Sequence, residues 1–206
     1  MDMKAVRGSG EDVPQVLMAL RQATRQSHTA VERLTPFFSP DFDRHAYLRW
    51  LDLMHAFYRN VDKAVESASF ASLTGWRYKA RCEMIVADLA VLASRPPEEP
   101  ADTGGILSRL ADLRQTSEIA GMLYVVEGSA LGGKVLLRVL DRSAGVTAEA
   151  GASFFAPHGH DPSPCWAEYV KLLSKLAVIP KQEQQVVDGA ETTFSVLQDW
   201  IRQAWR

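Results

Sequence analysis

The sequence predicts an all-α protein with a single helical domain, and three observations support this. Apolar residues recur at spacings of three, four and seven from Val13 onward, which is the period of a helix with one buried face. No segment shows the strict alternation of apolar and polar residues expected for a half-buried strand. The chain has 206 residues, 47% of them hydrophobic and 23% charged, which suits one hydrophobic core. We therefore expect antiparallel helices in one domain.

The first helices follow from this period and from the residues that interrupt it. The first helix is predicted to begin near Val13 and to end before Pro36, because proline cannot continue a helix. Its buried stripe contains Leu17, Leu20, Thr24, Val31 and Leu34. Asp41 or Asp43 can cap the second helix, which covers about 43–68.

The rest of the chain continues this pattern. Residues 94–102 are predicted to form a loop because they hold three prolines and clustered charges. Residues 151–164 are predicted to be a structured connection, and residues 1–12 a flexible N-terminal segment that precedes the helical domain, 13–206. Further helices are predicted at about 76–93, 105–114, 117–140, 163–177 and 181–204.

Charge and cysteine usage exclude several classes of protein. The 23 basic and 25 acidic side chains give a net charge of −2, so no basic field favours nucleic acid. Cys82 and Cys165 lie in no CxxC or CxxCH pattern, which argues against a disulfide scaffold and against covalent heme attachment. The N-terminus lacks the apolar run of a signal peptide, and the longest apolar stretch, 119–140, is interrupted by charges. We expect a cytoplasmic protein with free thiols and no membrane span.

One candidate site is a stripe of polar residues on the first helix. Arg21, Arg25, His28 and Glu32 are separated by four, three and four positions, so they share one helix face. This face adjoins the buried stripe, so the imidazole of His28 can reach a bound metal from the edge. Glu32 can then accept a hydrogen bond from the other ring nitrogen. The alternative is a half-buried histidine in a charged helix, which has the same spacing.

A second candidate site is a group of glycines within the predicted helix 117–140. Gly128, Gly132 and Gly133 each cost about 1 kcal/mol relative to alanine in a helix interior. Glycine leaves the backbone bare, so a flat ligand can approach closely and the helix can kink. Gly121 extends the same small-residue stripe. The alternative is close packing of two helices.

Together, the two motifs resemble those of the heme oxygenases. The resemblance is carried by Ala23, Thr24, Arg25, His28 and Glu32 near the N-terminus, and by the segment EGSALGG at 127–133. It extends over GASFFAPHG at 151–159 and over TTFSVLQDWI at 192–201. The sequence is most similar to bacterial members, including those associated with bacteriophytochromes.

This resemblance implies a heme sandwiched between a proximal helix and a glycine-kinked distal helix. His28 would be the axial iron ligand, with Glu32 as its neighbour on the proximal helix. The distal glycines would be Gly128, Gly132 and Gly133. Arg21 and Lys171 match basic residues at the heme edge, where Lys171 would meet a propionate. Ser129 replaces an aspartate that organises distal water in many animal members.

The resemblance also implies a reaction and its reactants. Heme would be both substrate and cofactor, and its ring would be opened with O₂ to give biliverdin, CO and ferrous iron. The sequence has no GxGxxG motif or P-loop for a nucleotide. Electrons are therefore expected from a separate ferredoxin or NAD(P)H-dependent reductase, and a bacteriophytochrome is a candidate receiver of biliverdin.

Three alternative functions share this kind of fold. A non-enzymatic heme carrier would use the same His28 and the same groove. A diiron oxidase is disfavoured because no glutamate is followed by histidine three residues later. A thiaminase-like enzyme would need an activated Cys82 or Cys165, and neither has a visible partner. The pair His158 and His160 is interpreted as incidental.

Overall fold

The computed structural model describes residues 13–159 and 161–205. The predicted flexible segment 1–12 therefore lies outside the described residues. Within them the chain forms eight α-helices and three short 3-10 helices, with only isolated bridge contacts at Thr147 in place of strands. The α-helices are α1 (Gln15–Leu34), α2 (Arg44–Ser67), α3 (Phe70–Thr74), α4 (Cys82–Ala93), α5 (Thr116–Ala130), α6 (Gly133–Ala144), α7 (Ser163–Leu176) and α8 (Pro180–Ala204). The all-α prediction is confirmed.

The first two helices begin and end close to their predicted bounds. Helix α1 ends at Leu34, and a 3-10 turn follows at Pro36–Phe38. Asp43 caps α2, since its carboxylate accepts a hydrogen bond from the Ala46 amide at 2.8 Å. This bond satisfies one of the amides that a helix N-terminus leaves unpaired. Of the two predicted caps, Asp43 is therefore the one that the structure uses.

The prediction of a helix over 76–93 is wrong at its start. Gly75 ends the short helix α3 in a left-handed conformation, with φ of 74°, and the chain then has no regular secondary structure up to Arg81. The Arg81 side chain is almost fully buried, and α4 begins only after it, at Cys82. This irregular segment, the strap 76–81, is stabilised by tertiary contacts, which helical periodicity does not report.

Two other predicted helices also differ. The segment 105–114 forms a 3-10 helix, Leu107–Asp112, and the Asp102 carboxylate accepts hydrogen bonds from the Leu107 amide and from that of Ile106 just before it. The predicted helix 117–140 is two helices, α5 and α6, that are bent by 48° at residues 131–132. The predicted connection 151–164 is confirmed as structured: its 3-10 turn is capped by Asp88, which accepts bonds from the Ser153 and Phe154 amides.

Helix α8 forms the centre of the packing, since both α1 and α5 lie mainly against it. Helices α5 and α8 approach so closely that neither has room for a methyl group at the crossing. A Cβ atom on Gly121 would overlap the carbonyl oxygen of Val186, and one on Gly189 would overlap the carbonyl oxygen of Glu118. Close packing therefore explains these two glycines by itself.

The described residues include no single helix that is both long and apolar enough to cross a membrane. The bent pair α5 and α6 passes that test only when the two are taken together. Most of α5 is buried within the protein, which is typical of a core helix.

Candidate functional site

His28 lies at the exposed edge of α1, where the sequence places it between the buried and polar faces. Its side chain is 47% exposed, and its Nδ1 lies 3.7 Å from Oε1 of Glu32. This distance exceeds a hydrogen bond but leaves the carboxylate beside the ring. The ring of Phe194, from α8, stands edge-on at 6.0 Å between centroids. Nε2 has no hydrogen-bond partner in the part of the chain that the structure describes, so its lone pair is accessible.

Arg21 lies seven residues earlier, near the hydroxyl of Tyr124 on α5. Burial raises the pKa of Tyr124, while the Thr24 hydroxyl and the Arg21 guanidinium lower it. The Tyr124 ring packs on Trp166 of α7, with 5.7 Å between the centroids. Arg21 itself is exposed and forms no ion pair with a described residue, so its charge is open to an anionic group.

Lys171 is the second predicted basic residue, and it lies on α7 with an exposed side chain. It forms no ion pair with any residue in the described ranges. Among the described residues, no hydrogen bond or ion pair joins Lys171 to Arg21 or His28. The predicted contact of Lys171 with a heme propionate therefore stays a prediction.

The glycines of the second motif divide into two kinds. A Cβ atom on Gly128 would lie 3.6 Å from the Trp166 ring, and one on Gly132 would meet only the Ser129 carbonyl oxygen, at 3.5 Å. Both are ordinary van der Waals distances, so protein packing does not require glycine there. At Gly133, however, a Cβ atom would overlap the carbonyl oxygen of Phe155. Packing explains Gly133, whereas at Gly128 and Gly132 the protein leaves room for a methyl group; these two are the open glycines.

Ser129 lies at the bend, beside the buried Tyr58 of α2. Its hydroxyl donates a hydrogen bond to the Val126 carbonyl at 2.7 Å, and it is also within hydrogen-bond reach of the Tyr58 hydroxyl. Burial raises the pKa of Tyr58, while nearby Arg81 lowers it. Ser129 is thus held by its own helix and by α2.

A buried charged cluster lies next to the bend, and it was not predicted from the sequence. Nη2 of Arg81 is 3.1 Å from Oε1 of Glu127, and these side chains are 2% and 3% exposed. Nε2 of His158 is 2.6 Å from Oε2 of Glu127. His158, which the sequence offered only as half of an incidental histidine pair, is therefore a member of this cluster, while His160 lies outside the described residues. A lone glutamate within an apolar helix was the signal in the sequence, because such a charge requires partners.

The remaining candidates for chemistry are not supported. Both cysteines are free, and burial raises the pKa of the Cys82 thiol, so it is a poor nucleophile. Among the described residues, no group of three or more histidine, cysteine or carboxylate side chains is placed to hold a metal ion. A metal at His28 would therefore need its other ligands from a bound group. A single accessible imidazole such as that of His28 is the kind of protein ligand that holds heme iron in proteins with one proximal histidine.

Comparison with known proteins identifies the family. The family model described as heme oxygenase matches residues 15–203. A heme oxygenase from Xanthomonas campestris pv. campestris (strain 8004) is 30% identical over 124 residues, which are 59% of this chain and 67% of that protein. The chain therefore belongs to the heme oxygenase family.

Solved structures share the fold at low sequence identity. The heme oxygenase of Neisseria meningitidis, solved with NO and CO bound, has a TM-score of 0.70 at 24% identity, covering 92% of each chain. That of Leptospira interrogans has a TM-score of 0.77 at 20% identity, covering 90% of this chain and 98% of its own. Heme oxygenase-1 of Synechocystis sp. PCC 6803, solved with heme, has a TM-score of 0.73 at 17% identity, covering 91% and 90%.

Proposed function

We propose that this protein opens the heme ring to biliverdin, CO and ferrous iron, using O₂ and electrons from a separate donor. The observation that carries the proposal is the pair of open glycines, Gly128 and Gly132, whose bare backbone no packing contact requires. Family membership and the accessible Nε2 of His28 support it independently. A non-enzymatic heme carrier is the alternative outcome of the test below.

The residues present fit a heme in the expected place. When bound, heme supplies the iron that binds O₂ and the ring that is oxidised. His28 would hold the iron through Nε2, as a neutral imidazole with its proton on Nδ1. Glu32, 3.7 Å from Nδ1, would move slightly to accept that proton's hydrogen bond, which orients the ring and raises its basicity.

The distal residues would act mainly by shape. Bare backbone at Gly128 and Gly132 lets the helix lie close to a flat ring, so that little space is left above it. A close wall directs a small bound molecule sideways, along the ring and toward its edge. Ser129 supplies a hydroxyl at this wall, in the place of the aspartate of many animal members, and Tyr58 lies next to it.

We also propose a source of electrons for the reaction and a receiver for its product, biliverdin. A ferredoxin or an NAD(P)H-dependent reductase would deliver electrons, because the sequence has no nucleotide-binding motif of its own. The resemblance of the chain to bacterial members, including those associated with bacteriophytochromes, makes such a photoreceptor the proposed receiver of biliverdin.

The proposed function is tested by supplying the purified protein with hemin, ascorbate and catalase and recording absorption spectra over time. Catalase removes free hydrogen peroxide, which would otherwise bleach heme without the protein's help. We expect the Soret band to fall while a biliverdin band rises and chelatable iron is released. A Soret band that persists, with bound heme intact, would instead identify a heme carrier.

Arg21 and Lys171 are expected to bind the heme carboxylates. A charge-assisted contact contributes about 1.5–3 kcal/mol, so Arg21→Ala or Lys171→Ala should weaken heme binding roughly 10- to 100-fold. Titration of the apoprotein with hemin measures this change. The matched controls are Arg33→Ala on α1 and Lys175→Ala on α7, both exposed cations on the same helices. Equal affinity in all four variants, with the same biliverdin isomer, would contradict the assignment.

A further inference from the structure

The cluster of Arg81, Glu127 and His158 joins three parts of the chain at the bend between α5 and α6. Glu127 is on the last turn of α5, directly before Gly128. Arg81 ends the strap 76–81, and His158 belongs to the loop that follows the 3-10 turn Ser153–Phe155. One carboxylate thus receives hydrogen bonds from two distant segments, at 3.1 Å and 2.6 Å.

Two more contacts surround the bend, one between the strap and the loop and one between α6 and the 3-10 turn before the loop. Lys79, in the strap, donates a hydrogen bond from Nζ to the Pro157 carbonyl at 2.7 Å. Gly133, the first residue of α6, lies against the Phe155 carbonyl so closely that no side chain fits between them. The loop therefore contacts the end of α5 through His158 and the start of α6 through Phe155.

We propose that Glu127, held by Arg81 and His158, is a positioning residue that fixes the angle of the bend and thereby the open backbone of Gly128 and Gly132. This inference rests on the proposed function, because it concerns where those glycines lie relative to bound heme. None of the three side chains is required to touch heme itself. They act through the backbone of residues 128–132.

Fold stability alone is a weak reason for such a cluster. Removing two charged groups from water is costly, and apolar residues of similar volume often stabilise a core as well or better. The cluster is also incompletely paired, since Nη1 of Arg81 is buried without a partner among the described residues. What a charged network does provide is a fixed geometry, because its hydrogen bonds are directional.

The test uses two substitutions of His158 that separate the hydrogen bond from the space it fills. His158→Phe keeps an aromatic ring but removes the donor to Glu127. His158→Gln places an amide N–H near the position of Nε2, so it can still donate. We expect His158→Phe to lower kcat of heme degradation roughly 10- to 100-fold, the size of effect that small misplacements produce, with little change in hemin affinity. His158→Gln should recover most of this loss.

A readout without heme comes from hydrogen exchange at the bend. The Leu131 amide bonds to the Gly128 carbonyl and the Gly132 amide to that of Ser129, so both amides report on this turn. In the apoprotein, His158→Phe should speed exchange at these two amides about 10-fold, because a local opening costs less once the anchor is removed. The stretching frequency of CO on the ferrous heme protein should shift as well, since it senses the distal wall.

Asp52→Asn is the matched control for breaking a buried ion pair elsewhere. Asp52 binds Arg95 through two hydrogen bonds, at 2.9 and 2.7 Å, and this pair holds the loop 95–98, away from the bend. The Asp52→Asn variant should have lower stability, but its kcat, CO stretching frequency and amide exchange at residues 131–132 should be unchanged. Wild-type exchange and kcat in His158→Phe would overturn the inference. If the wild-type protein fails to degrade heme, the proposed function fails, while the exchange result still decides whether the cluster fixes the bend.

Discussion

Replacing His28 by alanine is expected to abolish axial ligation of heme and to reduce biliverdin formation to background, with the fold retained. The fold should survive because the side chain is about half exposed and packs only edge-on to Phe194. The loss should be complete because no other histidine lies on α1. Ferric and ferrous–CO spectra of the reconstituted variant report ligation directly, and circular dichroism of the apoprotein reports the fold.

His45→Ala is the matched control, since His45 is an exposed histidine of similar setting on α2. It should give wild-type spectra and a wild-type yield of biliverdin. If His28→Ala gave the same spectra as wild type, then His28 would not be the ligand. The proposed arrangement of heme between α1 and the α5–α6 bend would fall with it.

Substituting Gly132 by alanine is expected to raise the stability of the apoprotein and to lower the yield of biliverdin. Its φ of −80° suits alanine, and the added methyl group meets only the Ser129 carbonyl oxygen at 3.5 Å. Reduced freedom of the unfolded chain then stabilises the apoprotein by about 0.4–1 kcal/mol. The same methyl group would project into the space above the heme, so biliverdin yield should fall severely. The thermal midpoint without heme and the yield with heme are measured on the same sample.

Gly121→Ala is the opposite case and serves as the control for packing. Its methyl group would overlap the Val186 carbonyl oxygen and lie 2.8 Å from the Ala190 amide nitrogen, both backbone atoms. We expect a loss of about 3 kcal/mol or more, at the upper end of overpacking effects, before any ligand is considered. A normal yield in Gly132→Ala combined with lowered apoprotein stability would return Gly132 to a packing role.

The sequence predicted those parts of the fold that depend on local pattern. Helices α1, α2, α7 and α8 lie close to their predicted bounds, because each combines an apolar stripe with a proline or a capping residue at its start or end. The start of α4 was wrong because Arg81 pairs with Glu127, 46 positions later in the chain. No periodicity records such a pairing. The bend after α5 lies among Gly128, Gly132 and Gly133, where the sequence predicted a kink, although the helix was predicted to continue through it.

The candidate site was likewise predicted from the sequence only in part. Spacing on α1 was sufficient to place His28 at an edge, with Glu32 beside it, since four residues make about one turn. Spacing was not sufficient to separate Gly133 from Gly128 and Gly132. That distinction depends on Phe155, which arrives from a distant loop. His158 was overlooked for the same reason, because its partner Glu127 lies 31 positions away.

The central place of α8 has a practical consequence for protein engineering. Helices α1 and α5 carry the two proposed walls of the heme groove, and both lie mainly on α8. The placement of both walls therefore depends on how α1 and α5 pack on a third helix, which provides neither the ligand nor the open glycines. Enlarging or trimming side chains along the seam between α1 and α8 would widen or narrow the groove without altering its chemistry. Variants selected there are a route to accepting porphyrins with bulkier substituents.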